Sequence, residues 1–337
     1  MAKVPLLELR NVSKTYAQRR GLLRRPGRLQ ALANVSLDVA EHEVVGLVGE
    51  SGSGKSTLGR IAVGLEEPDA GEVRLAGQAL RTLPNMGRRA RLLSLQMIFQ
   101  NPVASLNPRQ RVRKIIGEPV EVHRRELDRA ATTDKLAEQV GLPASLLDRF
   151  PHEMSGGQCQ RVGIARALAV DPRLLVCDEP VSALDVSIQA QVLNLFADLK
   201  EELGYAFLFI SHDLHVVELL CDRVAIMYLG RIVETGPKRS IYATPHHPYT
   251  RALLDAAPRI GRKRDGLPVL AGEIPSPMNP PRGCPFHPRC QAAMAICREV
   301  EPTTIAVGNA HHVACHLFNS RSAAEAQASR STGAQVC

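Results

Sequence analysis

The stretch from Val44 to Ala62 constrains the fold more than any other part of this 337-residue chain. Val44-Val45-Gly46-Leu47-Val48 is an apolar run of strand length, and Leu58-Gly59-Arg60-Ile61-Ala62 reads as a helix. Between them, Gly49-Glu50-Ser51-Gly52-Ser53-Gly54-Lys55-Ser56-Thr57 satisfies G-x-x-x-x-G-K-[ST] at every fixed position. A strand, a glycine loop and a helix in that order predict an α/β fold around a buried sheet. Glycine-permitted turns aim backbone N–H groups at phosphates, Lys55 reaches the β and γ oxygens, and Ser56 offers its hydroxyl to Mg²⁺. A Gly/Ser-rich turn with a stray lysine would not need that strand and helix around it.

Two further runs narrow the chemistry. Leu174-Leu175-Val176-Cys177-Asp178-Glu179 is apolar and ends in two carboxylates. A buried parallel strand of this kind delivers both acids to the carboxyl edge of the sheet, where ligands of such folds bind. Asp178 there would hold Mg²⁺ through water, and Glu179 would act as general base on the attacking water. Ahead of them, Ser155-Gly156-Gly157-Gln158 opens the helix-compatible stretch from Cys159 to Arg166. Such a helix start exposes backbone N–H groups and binds anions. It stands too far along the chain to belong to the first phosphate grip, which predicts that it serves the nucleotide of a second copy. A P-loop kinase or GTPase is excluded by that run.

With these motifs in place the chain resembles an ATP-binding cassette (ABC) ATPase over roughly residues 4–260. The resemblance implies a parallel-sheet core, an antiparallel β subdomain and a helical subdomain. Tyr16 resembles the aromatic that stacks on adenine. Gln100, closing Met97-Ile98-Phe99, resembles the glutamine that senses Mg²⁺ and the transmembrane partner. Ser182-Ala183-Leu184-Asp185 resembles the loop that crosses the dimer interface, and His212 the switch histidine that contacts the γ-phosphate. Met154 stands where leucine is more usual, and Cys159 where arginine is common. The resemblance makes ATP and Mg²⁺ the expected cofactors. Glu179, His212 and Gln100 are the expected catalytic residues, and Ser56, Gln100 and Asp178 the expected Mg²⁺ ligands.

Longer strings point to a branch of the family. Gln100-Asn101-Pro102-Val103-Ala104-Ser105-Leu106-Asn107-Pro108, His247-Pro248-Tyr249-Thr250-Arg251-Ala252-Leu253-Leu254 and Gly272-Glu273-Ile274-Pro275-Ser276-Pro277 resemble the ATP-binding subunits of dipeptide/oligopeptide importers. That group also contains nickel and glutathione importers. The Gly21-Leu22-Leu23-Arg24-Arg25 insertion looks like the second of the two ATPase subunits such importers carry. The resemblance implies a heterodimer of cassettes beneath two permease subunits, fed by an extracytoplasmic solute-binding protein, at the cytoplasmic face of the inner membrane. The competing class is a soluble ABC ATPase acting on nucleic acid. Those usually show a second cassette, zinc-knuckle insertions or a coiled-coil arm, and none is visible in the sequence.

Bulk properties set limits. No apolar stretch reaches the roughly 18–20 residues of a membrane-spanning helix, and Met1-Ala2-Lys3-Val4-Pro5 lacks a signal-peptide core. The net charge of +8 is concentrated in Arg19, Arg20, Arg24, Arg25 and Arg28, which read as a solvated basic loop. Few aromatics and no tryptophan argue against a base-stacking platform, so nucleic acid is not an expected partner.

Residues 1–260 are expected to form the nucleotide-binding domain, with a helical subdomain at about 101–170. Residues 261–337 turn Pro-rich (Pro268, Pro275, Pro277, Pro280, Pro281, Pro285, Pro288) and read as a small extension rather than more sheet. Cys159, Cys177 and Cys221 read as small buried apolar residues, and Cys337 carries no signal. Cys284, Cys290, Cys297 and Cys315, spaced C-x5-C-x6-C-x17-C, cluster in that extension, where a module of this size needs a staple. They resemble the four-cysteine tail of peptide-importer ATPases that holds a 4Fe-4S cluster. The nearby His287, His311, His312 and His316 keep zinc open, with unmetallated thiols as the third reading.

Overall fold

Alternating burial along the first two strands shows how the chain enters. β1 (Leu7–Gln18) and β2 (Gly27–Val39) pair antiparallel, and Leu7, Leu9, Val35, Leu37 and Val39 are all buried. The structure, a computed structural model, describes residues 4–18, 27–81, 93–256 and 272–318. Arg19, Arg20, Gly21–Arg25, Pro268 and Cys337 lie outside the described residues. β3 (Val44–Val48) follows, buried throughout, and leads through the glycine loop into α1 (Lys55–Ala62). β4 (Ala70–Leu75) and the short β5 (Gln78–Ala79) return to the first pair, giving an antiparallel sheet of order β2-β1-β4-β5.

β6 (Leu95–Ile98) opens a helical stretch containing α2 (Pro102–Ser105), α3 (Val112–His123), α4 (Arg129–Gln139) and α5 (Gly156–Leu168). α3, α4 and α5 pack on one another, and α5 also rests on β6. β7 (Leu174–Asp178), α6 (Val186–Leu203), β8 (Ala206–Ser211), α7 (Leu214–Leu220) and β9 (Arg223–Tyr228) restore the alternation of strand and helix. In space β9, β3, β8, β7 and β6 lie side by side and parallel. Their residues divide by parity. Val44, Val48, Leu175, Cys177, Phe207 and Phe209 face one core, while Val45, Leu47, Leu174, Val176, Leu208 and Ile210 face the other. The first core holds α3–α6, and the second lies between α1 and the antiparallel sheet. Among the described residues no helix is long and apolar enough to cross a membrane.

β10 (Arg231–Pro237) turns back antiparallel to β9 and leads into α8 (Lys238–Ala243) and α9 (Pro248–Ala256). The Pro-rich region then departs from its sequence reading. β11 (Thr304–Gly308) and β12 (His311–Ala314) form a hairpin, and β12 pairs with β10, so the extension continues the main sheet. Proline density hides this, because β12 joins the main sheet only through β10, a strand more than seventy residues away. Buried Glu234 on β10 fixes the join. Its carboxylate accepts the N–H groups of His246 (2.7 Å) and His247 (2.9 Å), and His311 Nε2 lies 2.8 Å away. Arg231 and Glu301 add an ion pair across the same join.

Candidate nucleotide site

β3, β8, β7 and β6 are neighbours, so the residues just past their carboxyl ends share one edge of the sheet: Gly49, His212, Asp178–Glu179 and Gln100. The loop after β3 needs glycine where the chain crowds itself. Gly54 precedes α1 at φ 104°, and a side chain there would put Cβ 2.4 Å from the Ala31 carbonyl oxygen. At Gly49 the same atom would lie 2.2 Å from the Met227 carbonyl oxygen. The first N–H groups of α1, at Lys55, Ser56 and Thr57, have no carbonyl one turn back and are available to an anion. Ser53 Oγ is buried beside Gly49 without a hydrogen-bond partner. Ser51 and Gly52 are exposed at the loop tip.

Lys55 Nζ donates to the carbonyls of Gly49 (2.8 Å) and Glu50 (3.0 Å). Burial lowers its pKa, and the nearby Glu179, Asp178 and Glu50 carboxylates oppose that shift. Lys55 therefore rests on the carbonyls of its own loop, with the Glu179, Asp178 and Glu50 carboxylates nearby. Ser56 Oγ donates to Asp178 Oδ1 at 2.9 Å. Burial pushes Asp178 up, the Ser56 hydrogen bond pulls it down, and the adjacent Glu179 charge pushes it up again.

Glu179 sits at φ 46°, a left-handed conformation costly for a residue with a Cβ. Its surroundings hold it there: its N–H donates to Ile210 O (3.0 Å), and Ser182 donates to its carbonyl from both N–H (3.2 Å) and Oγ (3.0 Å). Gln100 Nε2 donates to Glu179 Oε2 at 3.0 Å, and His212 Nδ1 lies 3.1 Å from the same oxygen. Two side chains thus orient one oxygen of the half-buried carboxylate, while His212 stays exposed. The Ser56 hydroxyl, the Asp178 carboxylate and the Gln100 side-chain carbonyl form an all-oxygen donor set, which fits a hard cation such as Mg²⁺.

Tyr16 on β1 reaches α1. Burial raises its phenol first, and hydrogen bonds to Glu66 and Thr57 act on it in opposite directions. Ser155 caps α5: its Oγ accepts the Gln158 N–H (3.3 Å), and Gln158 Oε1 accepts the Ser155 N–H (3.0 Å). Ser155 and Gly156 are exposed, and Gly157 is buried against Ile188 of α6. No hydrogen bond among the described residues joins this turn to the Lys55–Asp178–Glu179 network. Cys159 lies inside α5, its Sγ 3.4 Å from Pro151 O.

Sequence reasoning missed what holds the phosphate loop from behind. Arg289 in the extension forms a two-point ion pair with Glu50, and the Tyr249 hydroxyl accepts the Glu50 N–H at 3.0 Å. Tyr249 belongs to a string noted only as a branch mark. Arg289 carried no signal in the sequence.

The cysteines of the extension have come together as packing. Cys284 and Cys297 belong to the first core, and Cys290 packs against it. Burial pushes the Cys284 and Cys315 thiols up to about 11 and raises Cys290 as well. Among the described residues, the one group of three or more potential ligands lying within 4.8 Å of one another is Glu234, His246 and His311, with no cysteine in it. A zinc site requires its sulfurs that close.

Comparison with known proteins agrees with this geometry. The family described as ABC transporter matches residues 32–182, and the region described as oligopeptide/dipeptide transporter, C-terminal region, matches residues 233–297. The oligopeptide transport ATP-binding protein AppF of Bacillus subtilis is 48% identical over 322 residues, 93% of this chain and 98% of that protein. A peptide import ATP-binding protein of Brucella abortus is 51% identical over 295 residues, 86% of this chain and 87% of that protein. A dimeric ATP-binding cassette solved in a post-hydrolysis state with ADP and Pi superposes with a TM-score of 0.62 at 29% identity, covering 69% of this chain and 99% of that one.

These findings correct the expectation of a 4Fe-4S cluster on Cys284, Cys290, Cys297 and Cys315. The relatives are described as ATP-binding transport proteins alone, and Cys284 and Cys297 belong to the first core with Cys290 packed against it. Zinc on the same thiols has no support among the described residues either. By its phosphate loop, its carboxylate pair and its likeness along nearly its whole length, the chain belongs to the ATP-binding proteins of the ABC transporter family, in the oligopeptide/dipeptide branch.

Proposed function

We infer that this chain binds and hydrolyses ATP to energise a membrane importer of di- and oligopeptides. One observation carries the reading: Gln100 and His212 converge on a single oxygen of Glu179, beside the Ser56–Asp178 bond and Lys55. In the ATP-loaded state Lys55 leaves the Gly49 and Glu50 carbonyls for the β and γ phosphates, and Tyr16 stacks on the base. The loop from Gly49 to Thr57 wraps the phosphates with its N–H groups. Glu179, with Oε2 held by Gln100 and His212, turns Oε1 to the attacking water and takes its proton. His212, exposed at the edge, contacts the γ-phosphate. Mg²⁺, held by Ser56, Asp178 and Gln100, supplies neutralisation of the phosphate charge.

Ser155 and Gly156 are exposed at the start of α5, and among the described residues the Ser155 side chain bonds only to its own cap partner Gln158, which supports use of this turn by a partner cassette's nucleotide. The dimeric likeness supports the same arrangement. Closure of two cassettes would be driven by their higher ATP affinity when closed, and hydrolysis would reset them. The partner is a second ATPase subunit. Beneath two permease subunits, an apolar groove of about 690 Å³ beside Gln100, with Leu65, Phe99 and Val122 exposed on its wall, supports permease docking. Cargo arrives from an extracytoplasmic solute-binding protein, and the chain works at the cytoplasmic face of the membrane. The relatives' descriptions favour peptide over nickel or glutathione.

Proteoliposomes holding the whole importer test this. ATP on the cassette side should drive a labelled oligopeptide across, and not labelled nickel or glutathione. Ser155→Arg should keep ATP binding to the isolated chain yet cut hydrolysis by the complex at least about tenfold, because a partner's γ-phosphate loses its dock. Unchanged hydrolysis would remove Ser155 from a shared site, and nickel movement in place of peptide would overturn the cargo.

A further inference from the structure

Glu50 is the second residue of the phosphate loop, yet both its carboxylate oxygens are engaged by the C-terminal extension. Arg289 Nη1 lies 2.7 Å from Glu50 Oε2 and Nη2 3.1 Å from Oε1. This fork-to-fork geometry fixes direction as well as distance. The Arg289 side chain is 3% exposed and that of Glu50 21%, so water competes little for the pair. The guanidinium also stands over the Tyr228 ring, 5.9 Å from its centroid. Tyr228 packs on Tyr249 and Phe286 at 4.7 and 5.3 Å between ring centres. From that aromatic group the Tyr249 hydroxyl accepts the Glu50 N–H. Backbone and side chain of one loop residue are therefore both held from outside the loop.

The other end of the chain of contacts is Lys55, whose ammonium donates to the Glu50 carbonyl. A shift of Glu50 moves the point on which Lys55 rests. An unpaired Glu50 carboxylate would also place a negative charge beside the loop that must receive phosphates, and Arg289 cancels it. Arg289 itself is carried by a segment whose hairpin is paired to β10 and tied by Glu234 to His311. The support is rigid rather than a loose tail.

We propose that Arg289 is a positioning residue for ATP binding: the docked extension holds the phosphate loop in its receptive shape through the Arg289–Glu50 pair, and undocking it weakens the grip on ATP. The proposal rests on the ATPase reading above. Arg289→Gln and Glu50→Gln, each in the full chain, should raise the Kd for Mg·ATP measured by calorimetry about tenfold or more, as misplaced binding groups do. The double variant should be no weaker than the worse single one, because both remove the same pair. Arg289→Lys, which keeps charge without the fork, should fall between. Exchanging the partners, Glu50→Arg with Arg289→Glu, should recover part of the loss. Thermal melting of each variant separates binding from folding. An unchanged Kd in folded Arg289→Gln, or losses that add in the double variant, would overturn the proposal. Should Arg289→Gln not fold, a folded exchange variant with no recovery relative to Glu50→Arg would overturn it equally. An unaltered chain that binds no ATP would instead defeat the functional reading beneath it.

Discussion

His247 carries no charge in this protein. It is 1% exposed, burial lowers its pKa to about 3, and its Nδ1 accepts the Tyr249 N–H at 3.0 Å. A string that looked like a family mark is thus a buried neutral acceptor that orients Tyr249 toward Glu50. Its folded pKa lies below the ordinary 6.5, so the unfolded chain takes up the proton first as pH falls. The stability from His247 is full above pH 6.5 and is lost between 6.5 and about 3, at roughly 1.4 kcal/mol per pH unit. Urea unfolding at pH 7, 6 and 5 checks this against His247→Asn, whose carbonyl can still accept the Tyr249 N–H. The variant should lose stability less steeply on acidification, and parallel slopes would contradict the assignment. Single residues such as Lys55, Glu179 and His212 were legible because their chemistry repeats in a known order. The sharing of one Glu179 oxygen by Gln100 and His212 was not, since it depends on strands brought together across more than a hundred residues.

Between elements, the contact of α5 with α6 turns on one glycine. A Cβ on Gly157 would lie 2.2 Å from Ile188 Cγ2, so the Ser155–Gln158 turn and α6 sit almost backbone to side chain. Gly157→Ala should destabilise the chain by about 1–3 kcal/mol through overpacking, and Ile188→Ala in the same chain should relieve part of it. Thermal melts of the three variants check this, and a double variant weaker than Gly157→Ala would contradict it. α2 makes a second link: Asn101 caps it by accepting the Ala104 N–H, and Arg166 of α5 donates to the Ser105 carbonyl. The Gln100–Pro108 string therefore links the segment after β6 to α5. Local pattern predicted the short apolar strands β3 and β7, and α6 ends at Gly204 in the left-handed region. Local pattern failed at β11 and β12, where the hairpin joins a distant strand, β10, and proline density dominates the composition.

Two cores on opposite faces of one parallel sheet set the whole molecule, and the site lies at the sheet edge between them. The extension closes the first core with Phe286, Cys284 and Cys297 and reaches the nucleotide loop through Arg289. This explains why cysteines that resemble a metal-binding pattern act as packing: the core they join already exists in the cassette. It also ties the extension to the phosphate loop, so the two ends of the described sequence meet in one structure. The measurement that tests this account most directly is ATP binding and turnover by the assembled importer carrying Glu179→Gln. Binding should stay close to that of the unaltered complex, because the phosphate loop and Lys55 are intact, while turnover falls about 10²–10⁴-fold through loss of the base. Turnover at the unaltered rate would contradict the assignment of hydrolysis to this site.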